Sequence, residues 1–300
     1  MLASLTNQPF DNKDWLFEIK WDGYRAIAEL QGKDVKLYSR NGISFLPLYP
    51  AIAMALASLE LNAVVDGEIV VLDKKGKSDF QNLQQFGLSG GSSLVYVVFD
   101  CLRLNGKDLT HQVLTERKKR LQKLLPASDP VIRYSDHVVE RGKAFFIAAS
   151  KKNLEGIIAK KSDSLYTSGK RSKEWLKIKH HNTEEAVIAG YTSPRGSREH
   201  FGALILAVKK NKGWKYIGHT GTGFTRTILA DLYEKLQPYV RSSSPFEEKI
   251  KVNGQVTWVE PVLVANLKFT EKTKDGMLRH PVFQGLRIDK SAAETGQKGH

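Results

Sequence analysis

The chain has 300 residues, of which 41% are hydrophobic and 26% charged, a composition typical of a folded protein with sizeable apolar cores. Because this length exceeds that of a typical single domain, we expect two domains. Lys and Arg outnumber Asp and Glu by 46 to 32, which gives a formal net charge of +14. Such an excess favours a polyanionic partner, since each neutralised phosphate releases condensed counterions.

The cysteine count and the hydropathy pattern exclude several classes of protein. Cys101 is the only cysteine, which excludes an intrachain disulfide and a multi-cysteine zinc site and fits a reducing cytoplasm. The N-terminal segment turns polar after Leu5, so it does not resemble a signal peptide. No apolar run reaches the length of about 18 residues that a membrane span needs. We therefore expect a soluble cytoplasmic protein with no membrane association.

The first part of the chain predicts strands mixed with helices. Gln31-Gly32-Lys33-Asp34 is a hairpin signal between two strand patterns, and Leu114–Leu125 is a strongly amphipathic helical pattern with its charges on one side. The predicted strands are Trp15–Lys20, Arg25–Leu30, Val35–Ser39, Ala63–Val65, Glu68–Leu72, Leu94–Phe99, Ile157–Lys161 and Trp175–Lys179. The predicted helices are Pro50–Leu59, Phe80–Phe86, Leu114–Leu125 and Phe145–Lys152.

The pattern changes near residue 183, where short apolar runs begin to alternate with turn residues. The predicted strands are Ala186–Tyr191, Ala203–Lys209, Trp214–His219 and Gln255–Val264, with one helix at Thr225–Leu236. Several short strands with one helix indicate a small β-barrel of the oligonucleotide-binding (OB) kind. We therefore predict domains at residues 1–183 and 184–300, with His180-His181 as a linker and a disordered tail from Ser291.

The segment Lys20-Trp21-Asp22-Gly23-Tyr24-Arg25 lies between two predicted strands. A lysine at a strand end, beside a glycine that permits close backbone approach, is suited to present its amine to a phosphate. An arginine five residues later is suited to bind phosphate or ribose oxygens. A solvated hairpin with charges on its outer face explains this hexapeptide equally well when it is considered alone.

Further motifs follow Lys20 in a fixed order. They are Ser39-Arg40-Asn41-Gly42, Asp66-Gly67-Glu68-Ile69, Phe99-Asp100, Glu155-Gly156-Ile157-Ile158-Ala159-Lys160, Trp175-Leu176-Lys177-Ile178-Lys179 and Arg287-Ile288-Asp289-Lys290. The set resembles the ordered motifs of the covalent nucleotidyltransferase superfamily, which contains DNA ligases, RNA ligases and mRNA capping enzymes.

Within this superfamily, the chain more closely resembles the ligase module of the bacterial ligase D family, which serves end joining of double-strand breaks. The segments that carry this resemblance are Met1–Leu5, Gly190–Arg198, Phe201–Leu204, Gly221–Phe224 and Leu278–Pro281. The chain departs from the family at Ile288, where an acidic residue is expected, and it lacks the polymerase and phosphoesterase modules often fused to this ligase.

The resemblance implies an α+β fold, with a nucleotidyltransferase (adenylation) domain followed by an OB-fold domain. It also implies an ATP-dependent DNA ligase that seals nicks between a 5′-phosphate and a 3′-hydroxyl. Lys20 takes AMP from ATP, AMP passes to the 5′-phosphate, and the 3′-hydroxyl then displaces AMP. The nucleophile must be neutral, whereas a free lysine has a pKa of about 10.4.

The candidate catalytic residues beyond Lys20 are cationic. Lys177 and Lys179 alternate along one strand, so both lie on one face, where they can disfavour the ammonium form of Lys20 and hold the α-phosphate. A solvent-facing lysine stripe is the alternative. Arg287 and Lys290 are expected to meet the β- and γ-phosphates of ATP and to steer pyrophosphate into line.

The resemblance also implies roles for residues that bind the nucleotide. Phe99 stacks on adenine, and Glu18, on the same strand face as Lys20, reads the adenine amino group. Arg25 and Arg40 contact ribose and phosphate. A core aromatic is the alternative for Phe99.

Glu68 and Glu155 are the candidate metal ligands. Glu155 is expected to hold the metal, and Glu68 to contact ribose or the metal shell. Mg²⁺ is expected, with Mn²⁺ as a substitute, because Mg²⁺ prefers few carboxylates together with phosphate oxygens and waters. Both residues are also acceptable as ordinary surface acids.

The expected partner is nicked or broken double-stranded DNA. The resemblance further suggests a Ku-type end-binding protein, a fused or separate repair polymerase, a monomeric state and the bacterial cytoplasm or nucleoid. An RNA ligase, a capping-type nucleotidyltransferase and a non-catalytic DNA-binding OB protein remain alternatives. An NAD-dependent ligase is disfavoured, since its usual zinc module needs four cysteines.

Overall fold

The computed structural model describes residues 1–6, 8–78, 80–86, 93–211 and 213–296. These residues form two compact units, which divide between His180 and His181. The predicted boundary at residue 183 lies close to this division. Among the described helices, none is both long and apolar enough to cross a membrane.

The described part of the first unit contains two β-sheets and four α-helices. Its strands are β1 (Leu2–Leu5), β2 (Asn12–Ile19), β3 (Tyr24–Gln31), β4 (Asp34–Ser39), β5 (Asn62–Leu72), β6 (Ser93–Leu104), β7 (Lys107–Asp108), β8 (Ile132–Tyr134), β9 (His137–Glu140), β10 (Gly156–Lys161) and β11 (Arg171–Lys179). Its helices are α1 (Pro50–Ser58), α2 (Phe80–Gln84), α3 (Leu114–Leu124) and α4 (Gly142–Lys151).

The two sheets divide these strands between them. One sheet has five strands in the order β1-β11-β10-β2-β9, and the other has six, in the order β4-β3-β5-β6-β7 with β8 beside β6. The predicted hairpin is present, since β3 and β4 pair antiparallel from Ala26 opposite Ser39 to Gln31 opposite Asp34. The two strands predicted around Asp66-Gly67 are one continuous strand, β5, which pairs with both β3 and β6.

Apolar side chains divide between the faces of each sheet as strand alternation requires. In the five-stranded sheet, Phe17, Ile157 and Ile178 point to one face and form a buried cluster with Ala149 of α4. The six-stranded sheet buries a larger core against α1 and α3, in which Ile52 and Leu121 are fully buried. Each sheet therefore has one face covered by helices.

Helix α3 differs from its prediction in one respect that matters for the site. Its inward face carries Leu114 and Leu121, but also Arg117 and Lys118, which are 0% and 2% exposed. These two charged residues lie three and four positions after Leu114, on the same side of the helix. The prediction that the charges of this helix lie on one side is therefore wrong for Arg117 and Lys118, which share the buried side with the leucines.

The second unit is built around one long strand. Its strands are β12 (Asn182–Thr192), β13 (Leu204–Lys210), β14 (Gly213–Thr220), β15 (Val240–Arg241), β16 (Val256–Val259), β17 (Val264–Phe269), β18 (Glu271–Lys272), β19 (Leu278–Arg279) and β20 (Val282–Leu286). The central strand β12 pairs with β13, with β16 near its end and with β17 near its start. A strand that exchanges partners along its length is typical of a small barrel.

The helix of the second unit, α5 (Arg226–Leu236), begins where the sequence predicts. The Thr225 hydroxyl accepts a hydrogen bond from the Ile228 amide at 3.2 Å, a cap that stabilises a helix by about 1 kcal/mol. Short 3-10 helices follow at Gln237–Tyr239 and Ala292–Glu294.

Two predictions for the second unit are wrong. The segment Gln255–Val264 is not one strand, because β16 ends at Val259 and β17 begins at Val264. The chain is also ordered beyond Ser291, which forms a capping box with Glu294 at the start of a 3-10 helix. Thr295 is 2% exposed, and its hydroxyl accepts a hydrogen bond from the Lys209 amide at 3.3 Å. Residues 297–300 lie outside the described residues.

Candidate active site

The turn after Lys20 carries the chain from one sheet to the other. Strand β2 ends at Ile19 in the five-stranded sheet, and β3 begins at Tyr24 in the six-stranded sheet. Gly23 is required in this turn, because a Cβ there would lie 2.0 Å from the Ile69 carbonyl oxygen. The Lys20 amide donates to the Gly156 carbonyl at 3.0 Å, which ties the turn to the start of β10. The solvated hairpin considered for this hexapeptide is therefore not formed.

The register of the five-stranded sheet places several motif residues on one face. Glu18 lies opposite Ile158, which lies opposite Lys177, and directly paired residues share a face. Lys160 lies opposite Trp175 in the next row of this face. Lys179 follows Lys177 by two positions, so strand alternation places it on this face too. The face opposite the α4 cluster therefore collects side chains from three strands, β2, β10 and β11.

The six-stranded sheet supplies the other wall of a cleft. Arg25 on β3 lies opposite Glu68 on β5, and Phe99 lies on β6. The residues that line the cleft are Ala3, Glu18, Ile19, Lys20, Trp21, Arg25, Glu68, Phe99, Ile158, Lys160 and Trp175. Five of the predicted site residues thus meet in one cleft: Glu18, Lys20, Arg25, Glu68 and Phe99.

Four other predicted residues of the first unit, Glu155, Lys177, Lys179 and Arg40, are not among the residues that line the cleft. Glu155 precedes β10 and forms an ion pair with Lys20. Lys177 is not among the residues that line the cleft, but it lies opposite Ile158, which does. Arg40 follows β4 on an exposed surface and is likewise outside the lining.

The Lys20–Glu155 ion pair determines the protonation state of the candidate nucleophile. The side chains are 20% and 12% exposed, so solvent screens the pair only in part. Burial disfavours the ammonium form, but the negative charges of Glu155 and Asp22 outweigh burial and raise the pKa of Lys20. The expected lowering of this pKa, which combines neighbouring cations with a bound metal, is not present in the chain by itself.

Glu18 lies in a buried ionic network. Lys118 donates to Oε1 at 2.7 Å, Lys160 donates to Oε2 at 2.9 Å, and the Ser135 hydroxyl donates to Oε2 at 3.2 Å. Burial favours the neutral acid, yet the two lysines lower the pKa of Glu18 below its ordinary value. Glu18 is therefore held as a carboxylate at the edge of the cleft.

Arg25 is engaged by protein groups on several sides. Its guanidinium donates two hydrogen bonds to Asp66, at 3.0 and 2.6 Å, and one to the Met1 carbonyl at 2.7 Å. The Tyr166 hydroxyl donates to the same Asp66 carboxylate at 2.8 Å. These bonds fix the guanidinium 5.6 Å from the centre of the Phe99 ring. Arg25 thus enters the cleft as a rigid cation.

The Phe99 ring lies among cations and another aromatic ring. The Lys160 ammonium is 4.3 Å from the centre of the Phe99 ring and 4.3 Å from that of Trp175. The two rings meet edge to face with their centres 6.1 Å apart. Phe99 is half-buried: it lines the cleft and also packs against the buried cluster that contains Leu16 and Trp175.

The terminal motif belongs to the second unit. Arg287 donates two hydrogen bonds to Asp289, at 2.9 and 2.7 Å, and Lys290 forms an ion pair with Glu185 on β12. Burial is the largest cause that lowers the pKa of Lys290, and the charge of Arg287 adds to it. Ile288, the residue that departs from the expected acid, is 44% exposed.

Sequence reasoning missed three residues of the site. Lys160 and Trp175 stand inside motifs that were recognised, at alternate positions from Ile158 and Lys177, so strand periodicity alone was a usable signal. Lys118 carried no such signal. It lies on a helix far from every motif, and only tertiary packing brings it to Glu18.

Two family matches correspond to the two units of the structure. Residues 1–179 match the family described as ATP dependent DNA ligase domain, and residues 197–290 match ATP dependent DNA ligase C terminal region. The first match alone covers more than half of the chain. The chain belongs to the ATP-dependent DNA ligase family.

Its relatives include larger proteins and one of similar length. The chain is 39% identical to the multifunctional non-homologous end joining protein LigD of Pseudomonas aeruginosa, over 99% of this chain and 36% of that protein. It is 30% identical to the SPbeta prophage-derived DNA ligase-like protein LigB of Bacillus subtilis, over 96% of this chain and 98% of that protein. The chain therefore spans little more than a third of the LigD protein.

Solved structures show the same architecture. Mycobacterial DNA ligase D complexed with ATP and MES aligns with a TM-score of 0.74 and 33% identity, over 98% of this chain and 96% of that chain. The ligase domain of M. tuberculosis LigD aligns with a TM-score of 0.55 and 34% identity, over 99% and 97% of the two chains. These matches confirm the predicted α+β fold, with a nucleotidyltransferase domain followed by an OB-type domain, and the assignment to the DNA ligase family.

Proposed function

We propose that this chain is an ATP-dependent DNA ligase that seals 5′-phosphate/3′-hydroxyl nicks through AMP bound covalently to Lys20. The observation that carries the proposal is the position of Lys20. It stands at the crossover between the two sheets, in a cleft with an aromatic ring and several fixed cations, and is ion-paired to Glu155. Family membership supplies the class of reaction.

The first step requires a neutral amine. The Lys20 nitrogen attacks the α-phosphorus of ATP, an N–P bond forms, and the bond to the bridging oxygen breaks to release pyrophosphate. Because Glu155 and Asp22 favour the ammonium form, the chain by itself holds Lys20 in its unreactive state. This pairing protects the amine until the remaining components of the reaction are assembled.

The carboxylates near Lys20 fit a divalent cation. Glu155 and Glu68 offer oxygen ligands, and Mg²⁺ prefers a few carboxylates with phosphate oxygens and waters; Mn²⁺ is a substitute. Such an ion would be held by Glu155 and Glu68 and would neutralise carboxylate and phosphate charge. Glu155 would then no longer stabilise the Lys20 ammonium, and burial of the amine would favour its neutral form.

The remaining residues of the first unit bind and orient the nucleotide. Phe99 stacks on adenine and Glu18 accepts from its amino group, while Arg25 and Arg40 contact ribose and phosphate. Lys177 and Lys179, on the face that carries Glu18, stabilise the charge that develops on the α-phosphate. The bidentate Arg25–Asp66 pair supports this assignment, because a guanidinium fixed by the protein loses little freedom when it binds.

Arg287 and Lys290 of the second unit orient pyrophosphate as it leaves. Both are held by partners in their own unit, Asp289 and Glu185. The phosphates of ATP therefore compete with Glu185 for the Lys290 ammonium. The two ion pairs support a role for Arg287 and Lys290 that is restricted to the step that uses ATP.

The substrate is nicked or broken duplex DNA, and the setting is double-strand-break repair in the bacterial cytoplasm. The net charge of +14 and the similarity to LigD support this assignment. We further propose that the protein is a monomer and that a Ku-type end-binding protein recruits it. A repair polymerase acts beside it. Joining of cohesive and blunt ends, measured with and without a Ku-type protein, tests this assignment separately from nick sealing.

The decisive experiment is transfer of label from α-labelled ATP to the protein, followed by denaturing electrophoresis. The wild-type chain should retain label, whereas Lys20→Ala should not. Lys20→Arg should fail as well, because a guanidinium remains protonated. Label at the wild-type level on Lys20→Ala would refute the assignment of Lys20 as the nucleophile.

The same assay separates the alternative functions. Supplying nicked DNA or nicked RNA in the second step distinguishes a DNA ligase from an RNA ligase, and a non-catalytic DNA-binding protein would take no label.

A further inference from the structure

The network around Glu18 concentrates three charges in a buried place. Glu18, Lys118 and Lys160 are each 2% exposed. Lys118 also donates to the Ser135 carbonyl at 3.0 Å, and its ammonium lies 4.6 Å from the centre of the Tyr134 ring. Removal of charges from water costs several kcal/mol per ion, and apolar residues of similar volume often stabilise such a site as well or better. The network therefore points to a function.

The three residues differ in their access to the cleft. Glu18 and Lys160 line it, whereas Lys118 is not among the described residues that do. Lys118 extends from helix α3 and donates to Oε1 of Glu18, whereas Lys160 donates to Oε2. Any effect of Lys118 on a bound molecule must therefore act through Glu18.

The hydrogen-bonding capacity of the lining pair is set by its charges. A carboxylate only accepts hydrogen bonds, and an ammonium only donates them. The two lysines lower the pKa of Glu18, and Glu18 raises that of Lys118 against the effect of burial. Burial lowers the pKa of Lys160, and Glu18 opposes this shift. Glu18 and Lys160 thus offer the cleft one acceptor beside one donor.

We propose that Lys118 is a positioning residue for base selection, which fixes Glu18 beside Lys160 so that the pair matches adenine and rejects guanine. Adenine presents an amino donor next to the ring acceptor N1. Guanine presents the reverse arrangement, a carbonyl acceptor next to an N1–H donor. This inference rests on the proposed function and deepens it by naming the residue that holds the selective group.

The arrangement makes selectivity depend on the charge of Glu18. Without Lys118, Lys160 alone among the two lysines opposes the effect of burial, so the pKa of Glu18 should rise and the acid should protonate more readily as the pH falls. His137, which lies opposite Glu18 on β9, and Tyr134 are further titratable groups beside this carboxylate. A protonated carboxyl gains an O–H donor, which suits the guanine carbonyl. Discrimination against GTP should then weaken progressively at lower pH.

The test compares Lys118→Met with the matched control Lys119→Met. Lys119 is the next residue on α3, but it is exposed and forms an ion pair with Glu116. The measurement is kcat/KM for self-labelling with ATP and with GTP between about pH 5.5 and 8. A site built to hydrogen-bond its substrate discriminates by large factors, so we expect Lys118→Met to lower the ATP/GTP ratio by about tenfold or more. The loss should grow as the pH falls, and Lys119→Met should retain the wild-type ratio.

A merely structural role predicts a different result. A folded Lys118→Met variant with the wild-type ATP/GTP ratio throughout the pH range would overturn the proposal. If Lys118→Met does not fold, Glu18→Gln/Lys118→Met removes both charges and leaves an uncharged amide. The double variant should lose selectivity independently of pH, and a wild-type ratio there would equally overturn the proposal. The control variant Lys119→Met should also seal a nick that already carries AMP as the wild type does. Failure of the wild-type chain to take label from either nucleotide would instead contradict the proposed function.

Discussion

Replacement of Arg117 by methionine should destabilise the first unit strongly. Arg117 and Asp100 are both 0% exposed and form a bidentate pair, with nitrogen–oxygen distances of 2.8 and 2.9 Å. The Arg117 guanidinium also donates to the carbonyls of Gln112 and Ser164, at 2.6 and 3.0 Å. One side chain thus joins strand β6, the segment before α3 and the segment after β10.

The size of the effect follows from what Arg117→Met leaves behind. Asp100 would keep the hydrogen bond from the Cys101 amide at 2.9 Å, but its charge would be buried without a cation. Breaking a buried pair by removing one partner costs about 3–5 kcal/mol. For a unit of this size, about 2–4 °C of Tm is lost per kcal/mol, so we expect Tm to fall by roughly 6–20 °C.

The assay is thermal and urea unfolding of Arg117→Met, Asp100→Asn and the double variant. Asp100→Asn keeps the shape but leaves the buried Arg117 guanidinium without a counter-ion, so it should also cost about 3–5 kcal/mol. The double variant should be more stable than the sum of the single effects predicts, by about 1–3 kcal/mol, since no unpaired charge remains. A loss below about 1 kcal/mol in Arg117→Met, or strictly additive effects, would refute the reasoning.

Three further predictions concern the site. Glu155→Gln should lower the pKa of Lys20, because it removes the negative charge that stabilises the ammonium form. At neutral pH, without nucleotide or metal, an amine-reactive reagent should therefore modify Lys20 faster than in the wild type. Equal rates of modification, measured by mass spectrometry, would contradict the role of the ion pair. Arg287→Ala or Lys290→Ala should lose self-adenylylation yet seal a nick that already carries AMP, and equal loss of both activities would indicate a role in folding or DNA binding instead. The affinity for nicked duplex DNA should fall steeply as the salt concentration rises, and the slope of log affinity against log salt concentration should be about −0.9 per neutralised phosphate. A nearly flat dependence would count against binding along the DNA backbone.

The sequence by itself determined the family and most of the secondary structure. The hairpin at Gln31-Gly32-Lys33-Asp34 and the cap at Thr225 depend on a few neighbouring residues, so local patterns were sufficient to predict them. The motif order selected Glu18, Lys20, Arg25, Glu68 and Phe99, and the structure places all five in one cleft. Alternation along a strand also predicted correctly that Lys177 and Lys179 share a face.

Only the tertiary structure decided how these groups are paired and charged. Lys118 and Glu18 are 100 residues apart, and no local pattern on α3 indicates that two of its charged residues point inward. Lys20 was expected to have a lowered pKa, but the structure places it against Glu155, which raises that pKa. The physical reason is the range of the interactions. Hydrogen bonds within turns and caps join residues that are near in sequence, whereas the electrostatic environment of a buried group is set by whichever distant side chains the folded sheets bring within a few ångströms.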